Sequence, residues 1–312
     1  MVTIRQTYDR ALIADPAGYL RDAVGKALPR AERLRGKHIA VTVGSRGIPD
    51  LDKMVRSLCD FLKKQGAEPF IIPAMGSHGG ATAEGQRAML EGYHITEAAM
   101  GVPVRSSMET VVYGEVDGIP LHCDKLAFAA DGVVVFNKVK PHTDFRGDYE
   151  SGLVKMIAIG MGKHTGASLF HSVGLERFPD LLPRVGEVFL ATGKVCLGVG
   201  VVQNAYDDIS DILVCGPETL METDRELLRI AKRKLPLFKF DHIDLLIVDE
   251  IGKNISGTGC DPNIIGRNLS DSFHGILDLK KLFVRSLTPE AHHNGCGLGM
   301  VDMTTRACLA GV

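Results

Sequence analysis

Apolar positions along the chain fall into two patterns, short continuous runs and longer stretches at helical spacing. His38–Gly44 (HIAVTVG) reads as a buried strand, and Leu51–Gln65 follows with its apolar residues on one helical face. Glu68–Ala74 (EPFIIPA) is predicted to be the next strand, followed by a glycine-rich turn and a helix over Ala83–Gly92. Two β-loop-α units in succession put their loops at strand C-termini, where open α/β sheets bind ligands. Val111–Val116 and Pro120–Cys123 read as short strands, paired as a hairpin around Asp117–Gly118. Asp131–Val139 (DGVVVFNKV) is a strong buried strand that runs into Lys140–Gly174, the most unusual segment of the chain.

Further on, Lys194–Gln203 and Asp211–Cys215 read as strands and Pro217–Lys232 as a helix, and Pro236 with the KFD stretch marks a boundary near residue 240. Ile243–Ile251 opens a second domain. The fold class this predicts is α/β. A larger N-terminal α/β domain spans 1–240, with ligand loops at strand C-termini, and a smaller C-terminal α/β domain spans 241–312. The final run, TTRACLAGV, reads as a helix with no capping glycine-and-stop after it, so the second domain is expected to be short or incomplete.

Composition narrows the function classes. Hydrophobic residues make up 45% of 312 and charged residues 24%, which is globular composition. A net charge of −2 without a basic run leaves no footprint for nucleic acid. No apolar stretch reaches the roughly 18 residues of a membrane span, and the N-terminus lacks the apolar block of a signal peptide. A cytoplasmic protein is expected, with no membrane partner. Seven scattered cysteines without a CxxC pair suggest reduced thiols, and neither a disulfide framework nor a cysteine zinc site. Nothing in the chain fixes the oligomeric state, a homo-oligomer included.

Three loops carry polar residues beside glycines. Gly44-Ser45-Arg46-Gly47-Ile48-Pro49-Asp50 lies between a strand and a helix, where backbone amides suit an anion and Arg46 adds a fork for carboxylate or phosphate. It is neither a P-loop nor a dinucleotide fingerprint. His78, in Gly76-Ser77-His78-Gly79-Gly80, stands at the next junction and can exchange a proton near neutral pH. His142 follows the strong strand. Lys155 lies in the apolar stretch SGLVKMIAIGMG, either snorkelling or lowered in pKa and nucleophilic. His171 closes an apolar turn and could bind a metal. Each has a plainer reading as a turn or surface residue. Together they point to an anionic small molecule. His292, His293 and Cys296 make a tempting metal cluster, but adjacent side chains diverge. His164 reads as an exposed turn residue, and Lys140 and Lys163 as solvated or phosphate-facing.

The ordered set GSRGIPD, GSHGG, KPHTDFRG, SGLVK and a histidine sixteen residues beyond that lysine resembles the lactate racemase family. The similarity covers most of residues 38–175, with further likeness at Asp249–Arg267. It implies a racemase or epimerase acting at the hydroxyl-bearing carbon of a 2-hydroxy acid or sugar acid. It also implies a nickel-pincer nucleotide, a pyridinium mononucleotide with two sulfur groups that hold Ni(II), supplied by separate cofactor-synthesis enzymes. Lys155 would be the covalent attachment point and His171 the nickel ligand. His78 and His142 would be the paired acid/base groups, and Ser45, Arg46 and Gly47 would hold the nucleotide. Arg46 would anchor the substrate carboxylate, and Lys253 is the lysine nearest the second-domain motif. The interval from His142 to Lys155 is longer than in the lactate enzyme and contains an insertion, and no lysine stands at the expected place in the second-domain motif, so the resemblance reaches hydroxy-acid isomerisation without reaching lactate. The other class open to the sequence is a non-catalytic binder of a phosphorylated or carboxylated metabolite at the same loops. A metal-dependent hydrolase lacks any ligand set with familiar spacing.

Overall fold

The computed structural model describes residues 2–28, 34–269 and 276–312. They form two compact units. The larger is Asp9–Lys140 with Gly147–Lys234; the smaller joins the residues up to Tyr8, Pro141–Arg146 and Leu235–Val312. The hydrophobic pattern draws one boundary near residue 240, whereas contacts in space also gather two short segments into the smaller unit. The Tyr8 hydroxyl donates to the Leu237 carbonyl at 2.7 Å, and the Lys239 N–H donates to Gln6 Oε1 at 2.6 Å.

In the larger unit α1 (Pro16–Ala27) starts on a proline, with Asp15 accepting the Gly18 N–H at 2.9 Å. β1 (His38–Val43), α2 (Leu51–Lys64), β2 (Glu68–Pro73) and α3 (Ala83–Gly92) lie where the apolar pattern puts them. After α4 (Glu97–Met100), β3 (Thr110–Val116) and β4 (Ile119–Asp124) pair antiparallel. Asp117 and Gly118 both have positive φ, as a tight hairpin turn requires. Next come α5 (Lys125–Ala129), β5 (Gly132–Lys138), α6 (Leu153–Lys155), a π-helical turn over Met156–Gly160 and α7 (Lys163–Ser172). α8 (Phe178–Ala191), β6 (Val195–Gln203), β7 (Ile209–Cys215) and α9 (Leu220–Arg233) complete the unit.

Among the described residues, five strands form one sheet in the order β2-β1-β5-β6-β7, parallel except for edge strand β7. The inner strands are nearly continuous apolar runs because both faces are covered. On one face Val41, Val43, Val134, Phe136 and Val199 pack with Leu20 of α1 and Met54 and Leu58 of α2. On the other, Val139 and Val202 meet Leu227 and Leu228 of α9. β2 lies on one side of β1 and β5 on the other. The order thus reverses between β1 and β5, and the C-terminal ends of strands at such a reversal are the usual ligand position in open α/β sheets.

The smaller unit has β8 (His242–Ile251), α10 (Pro262–Ile265), β9 (Asp278–Leu287), β10 (Met303–Thr304) and α11 (Arg306–Ala310). β8, β9 and β10 are parallel, and Ile251, Leu282, Val284 and Met300 form a core of their own. In the run TTRACLAGV, Thr305 caps the start of α11, and the Gly311 N–H bonds the Ala307 and Cys308 carbonyls at 3.1 and 3.2 Å. Among the described residues no helix is long and apolar enough to cross a membrane.

Candidate functional site

The loops after β1 and β2 meet. His78 is exposed, and its Nδ1 shares a short hydrogen bond with the Ser45 hydroxyl. Tyr93, at the end of α3, donates its hydroxyl to the Ser45 carbonyl at 2.7 Å and flanks Gly47. Burial raises the Tyr93 pKa, while the nearby Arg46 charge pulls it back. Ser45 and Arg46, expected to hold a nucleotide, and His78, expected as an acid/base group, thus share one corner of the sheet. Gly79 has φ of +65°, and a Cβ there would lie 2.7 Å from the Gln86 nitrogen and the Gly85 carbonyl carbon. Only glycine lets the backbone beside His78 lie against α3 so closely.

Lys155 is half-buried at the end of α6. Asp224 of α9, fully buried, caps that helix by accepting the Leu153 and Val154 N–H groups at 2.8 and 3.0 Å. Burial pushes the Asp224 pKa up to about 6, and the two backbone donors hold it down from going further. Asn137 of β5 donates to the Gly152 carbonyl at 2.7 Å, so the sheet end and two helices fix the turn carrying Lys155. The chain then opens into the π-helical turn, a wide and rare geometry that recurs at functional sites. The Gly76 N–H donates to the Gly160 carbonyl at 3.1 Å, tying this turn to the His78 loop. His171 is exposed in the last turn of α7, its ring tilted 41° against Phe178 at 5.5 Å.

Lys138, the last residue of β5, was not singled out from the sequence. Its ammonium bonds Gln203 Oε1, and its pKa is lowered to about 8, first by burial and then by the charges of Lys140 and Arg46. Three cations therefore gather at the C-terminal ends of β1 and β5, an arrangement suited to an anion. The signal available in sequence was a lysine closing an otherwise apolar strand.

Lys163 overturns its expected place on the surface. Its side chain is fully buried with Asp124, Nζ 2.9 Å from Oδ2, and its backbone has φ of +54°. His164 is exposed as expected, but on the first turn of α7.

His142 belongs to the smaller unit. Its Nδ1 accepts the Asp144 N–H at 3.0 Å, which leaves the proton of the neutral ring on Nε2. The ring stacks on Phe145 at 4.3 Å. Asn263 of α10 donates to the His142 carbonyl at 3.1 Å, Arg146 donates to the same carbonyl at 2.6 Å, and Arg146 also reaches Asn263 Oδ1. Lys253 is exposed in the turn between β8 and α10. Arg46, His78, Lys155 and His171 thus belong to one unit, His142 and Lys253 to the other. Among the described residues no three His, Cys, Asp or Glu side chains cluster as a metal site. His292 and His293 sit in a turn at positive φ, and His293 Nδ1 contacts the Gly311 carbonyl oxygen at 2.6 Å.

Fold and loops together define a class: an α/β chain of two units whose larger unit presents polar loops at the C-terminal edge of a parallel sheet. No family model matches the chain, and no curated protein matches it in sequence. Solved structures do. One similar structure is a structural-genomics protein from Thermotoga maritima, with TM-score 0.62 and 15% identity, covering 90% of this chain and 72% of that one. Another is the lactate racemase apoprotein from Thermoanaerobacterium thermosaccharolyticum, with TM-score 0.53 and 16% identity, covering 85% and 67%. The likeness is one of fold.

Proposed function

We propose that this chain is a racemase or epimerase of a 2-hydroxy acid or sugar acid, working with a covalently tethered nickel-pincer nucleotide. The observation that carries the reading is Lys155, half-buried where a helix capped by Asp224 opens into a π-helical turn, in a fold like that of a lactate racemase apoprotein. The residues fit such a group. A fixed amine suits covalent attachment, the exposed His171 imidazole suits nickel, and the Arg46, Lys138 and Lys140 charges suit a phosphate.

In this reading Lys155 attaches the nucleotide, His171 ligates nickel, and Ser45, Arg46 and Gly47 hold the nucleotide, with Arg46 and Lys253 serving the substrate carboxylate. The bound group supplies a hydride acceptor for the hydroxyl-bearing carbon. His78 and His142 take and return the hydroxyl proton, one for each configuration. The Ser45 hydroxyl can donate to or accept from His78, so that ring can carry its proton on either nitrogen. The cofactor comes from separate synthesis enzymes, and the protein works in the cytoplasm without nucleic-acid or membrane partners.

The test is intact mass and metal content of protein made together with those enzymes. An adduct mapping to Lys155 with nickel near one per chain is expected, and Lys155→Ala should abolish both. An unmodified chain without nickel, under conditions that load a lactate racemase, would instead favour a binder of anionic metabolites at the same cations.

A further inference from the structure

We propose that Lys163 is a positioning residue for His78, acting through Gln86. The proposal rests on the acid/base role given to His78 above. Burying an ammonium and a carboxylate together costs several kcal/mol per ion before their attraction repays it, and a left-handed backbone at a non-glycine residue adds strain. Lys163 carries both burdens. Asp124 divides its oxygens between two tasks. Oδ1 caps α5, accepting the Leu126 and Ala127 N–H groups at 2.8 and 3.0 Å, while Oδ2 faces the Lys163 ammonium.

The ammonium faces two more oxygens: the Pro73 carbonyl at the end of β2 and Gln86 Oε1 at 3.4 Å. This third contact matters most. An ammonium only donates, so Gln86 must turn its oxygen toward Lys163 and its NH2 the other way. That NH2 donates to the Gly76 carbonyl at 2.8 Å and the His78 carbonyl at 3.2 Å. Gln86 is itself fully buried. The buried charge therefore sets the sense of an amide that grips both ends of the loop presenting His78. Without it the amide has no preferred sense, and the loop carbonyls can face an oxygen.

The experiment compares Lys163→Met with Gln86→Met, which breaks the grip while leaving the Lys163–Asp124 pair intact. In cofactor-loaded protein each variant should lower kcat by about a hundredfold, the scale of a misplaced catalytic group, with KM within about twofold of wild type and the Lys155 adduct retained. In protein without cofactor, backbone hydrogen exchange at His78 and Gly79 should quicken by about tenfold while α2 is unchanged. This second readout stands even where no adduct forms, so it separates the proposal from the assignment of function. Gln86→Glu, which replaces the NH2 donors with a carboxylate, should behave like Gln86→Met. Wild-type exchange at His78 and Gly79 in folded Gln86→Met would overturn the proposal, whether or not Lys163→Met folds.

Discussion

Three lysines of the larger unit share a side chain and differ in what surrounds it. Lys163 is sealed against a carboxylate, Lys155 is half-covered beside a π-helical turn, and Lys138 ends a buried strand among like charges. Lys138 gives a pH prediction. Its ammonium titrates near 8 instead of 10.5, so the free chain loses a positive charge as pH climbs through that value. Affinity for sulfate, whose own charge is constant there, should fall several-fold between pH 7 and 9, and Lys138→Met should flatten the dependence; titration calorimetry measures both. The loop residues Ser45, Arg46 and His78 were legible because glycines beside a strand end mark a βα junction. Lys163 was not, since lysine in a glycine-rich run reads as exposed and nothing local names Asp124 as its partner. Asp224 was hidden for the same reason, since the helix it caps lies far from it in sequence, and Gln86 because the charge that sets its sense, Lys163, is distant too.

At the scale of elements, the chain's apolar period located β1, α2, β2, α3, β5 and the Asp117–Gly118 hairpin to within a residue or two. It did not reveal the π-helical turn, because a single widened turn leaves no repeat to detect. Close approach makes the glycines testable. A Cβ at Gly85 would collide with the Gly79 carbonyl oxygen, and a Cβ at Gly160 would lie 2.7 Å from the Ala74 carbonyl oxygen. Gly85→Ala and Gly160→Ala should each destabilise the larger unit by about 1–3 kcal/mol, the usual penalty of overpacking, read by urea unfolding.

The capped helix α6 adds a pH effect. The folded pKa of Asp224, about 6, lies above its ordinary value of 3.8, so the folded state holds that proton more tightly than the unfolded chain. Stability from this group is greatest below pH 4 and declines as pH rises to 6, by roughly 3 kcal/mol at the full shift. Asp224→Asn should therefore show a weaker decline than wild type between pH 4.5 and 7, at the loss of one cap hydrogen bond. A parallel decline in both proteins would contradict the assignment.

For the molecule as a whole, two cores in one chain mean that local damage should stay local. Tyr8→Phe removes the hydroxyl bond to Leu237, so it should lower the stability of the smaller unit by about 1 kcal/mol. Hydrogen exchange in β8 and β9 should report the change, with β1 and β5 unaffected. The single boundary read near residue 240 follows from how sequence patterns work. They show where an element type changes, and they carry no mark for a loop such as Pro141–Arg146 that is held by Asn263, far along the chain.

That loop has a consequence for the order of events during synthesis. The chain passes between its two units after residues 8, 140, 146 and 234. All of the larger unit has been translated once Lys234 emerges, whereas the smaller unit needs residues that lie both before and after it in the chain. At ~5–20 residues per second the final segment takes several seconds to arrive, and until Asn263 emerges nothing holds the carbonyl of His142 from α10. The larger unit can therefore fold on the ribosome with Lys155 in place while the His142 loop waits, so the residue proposed to tether the nucleotide is seated before both members of the proposed acid/base pair are.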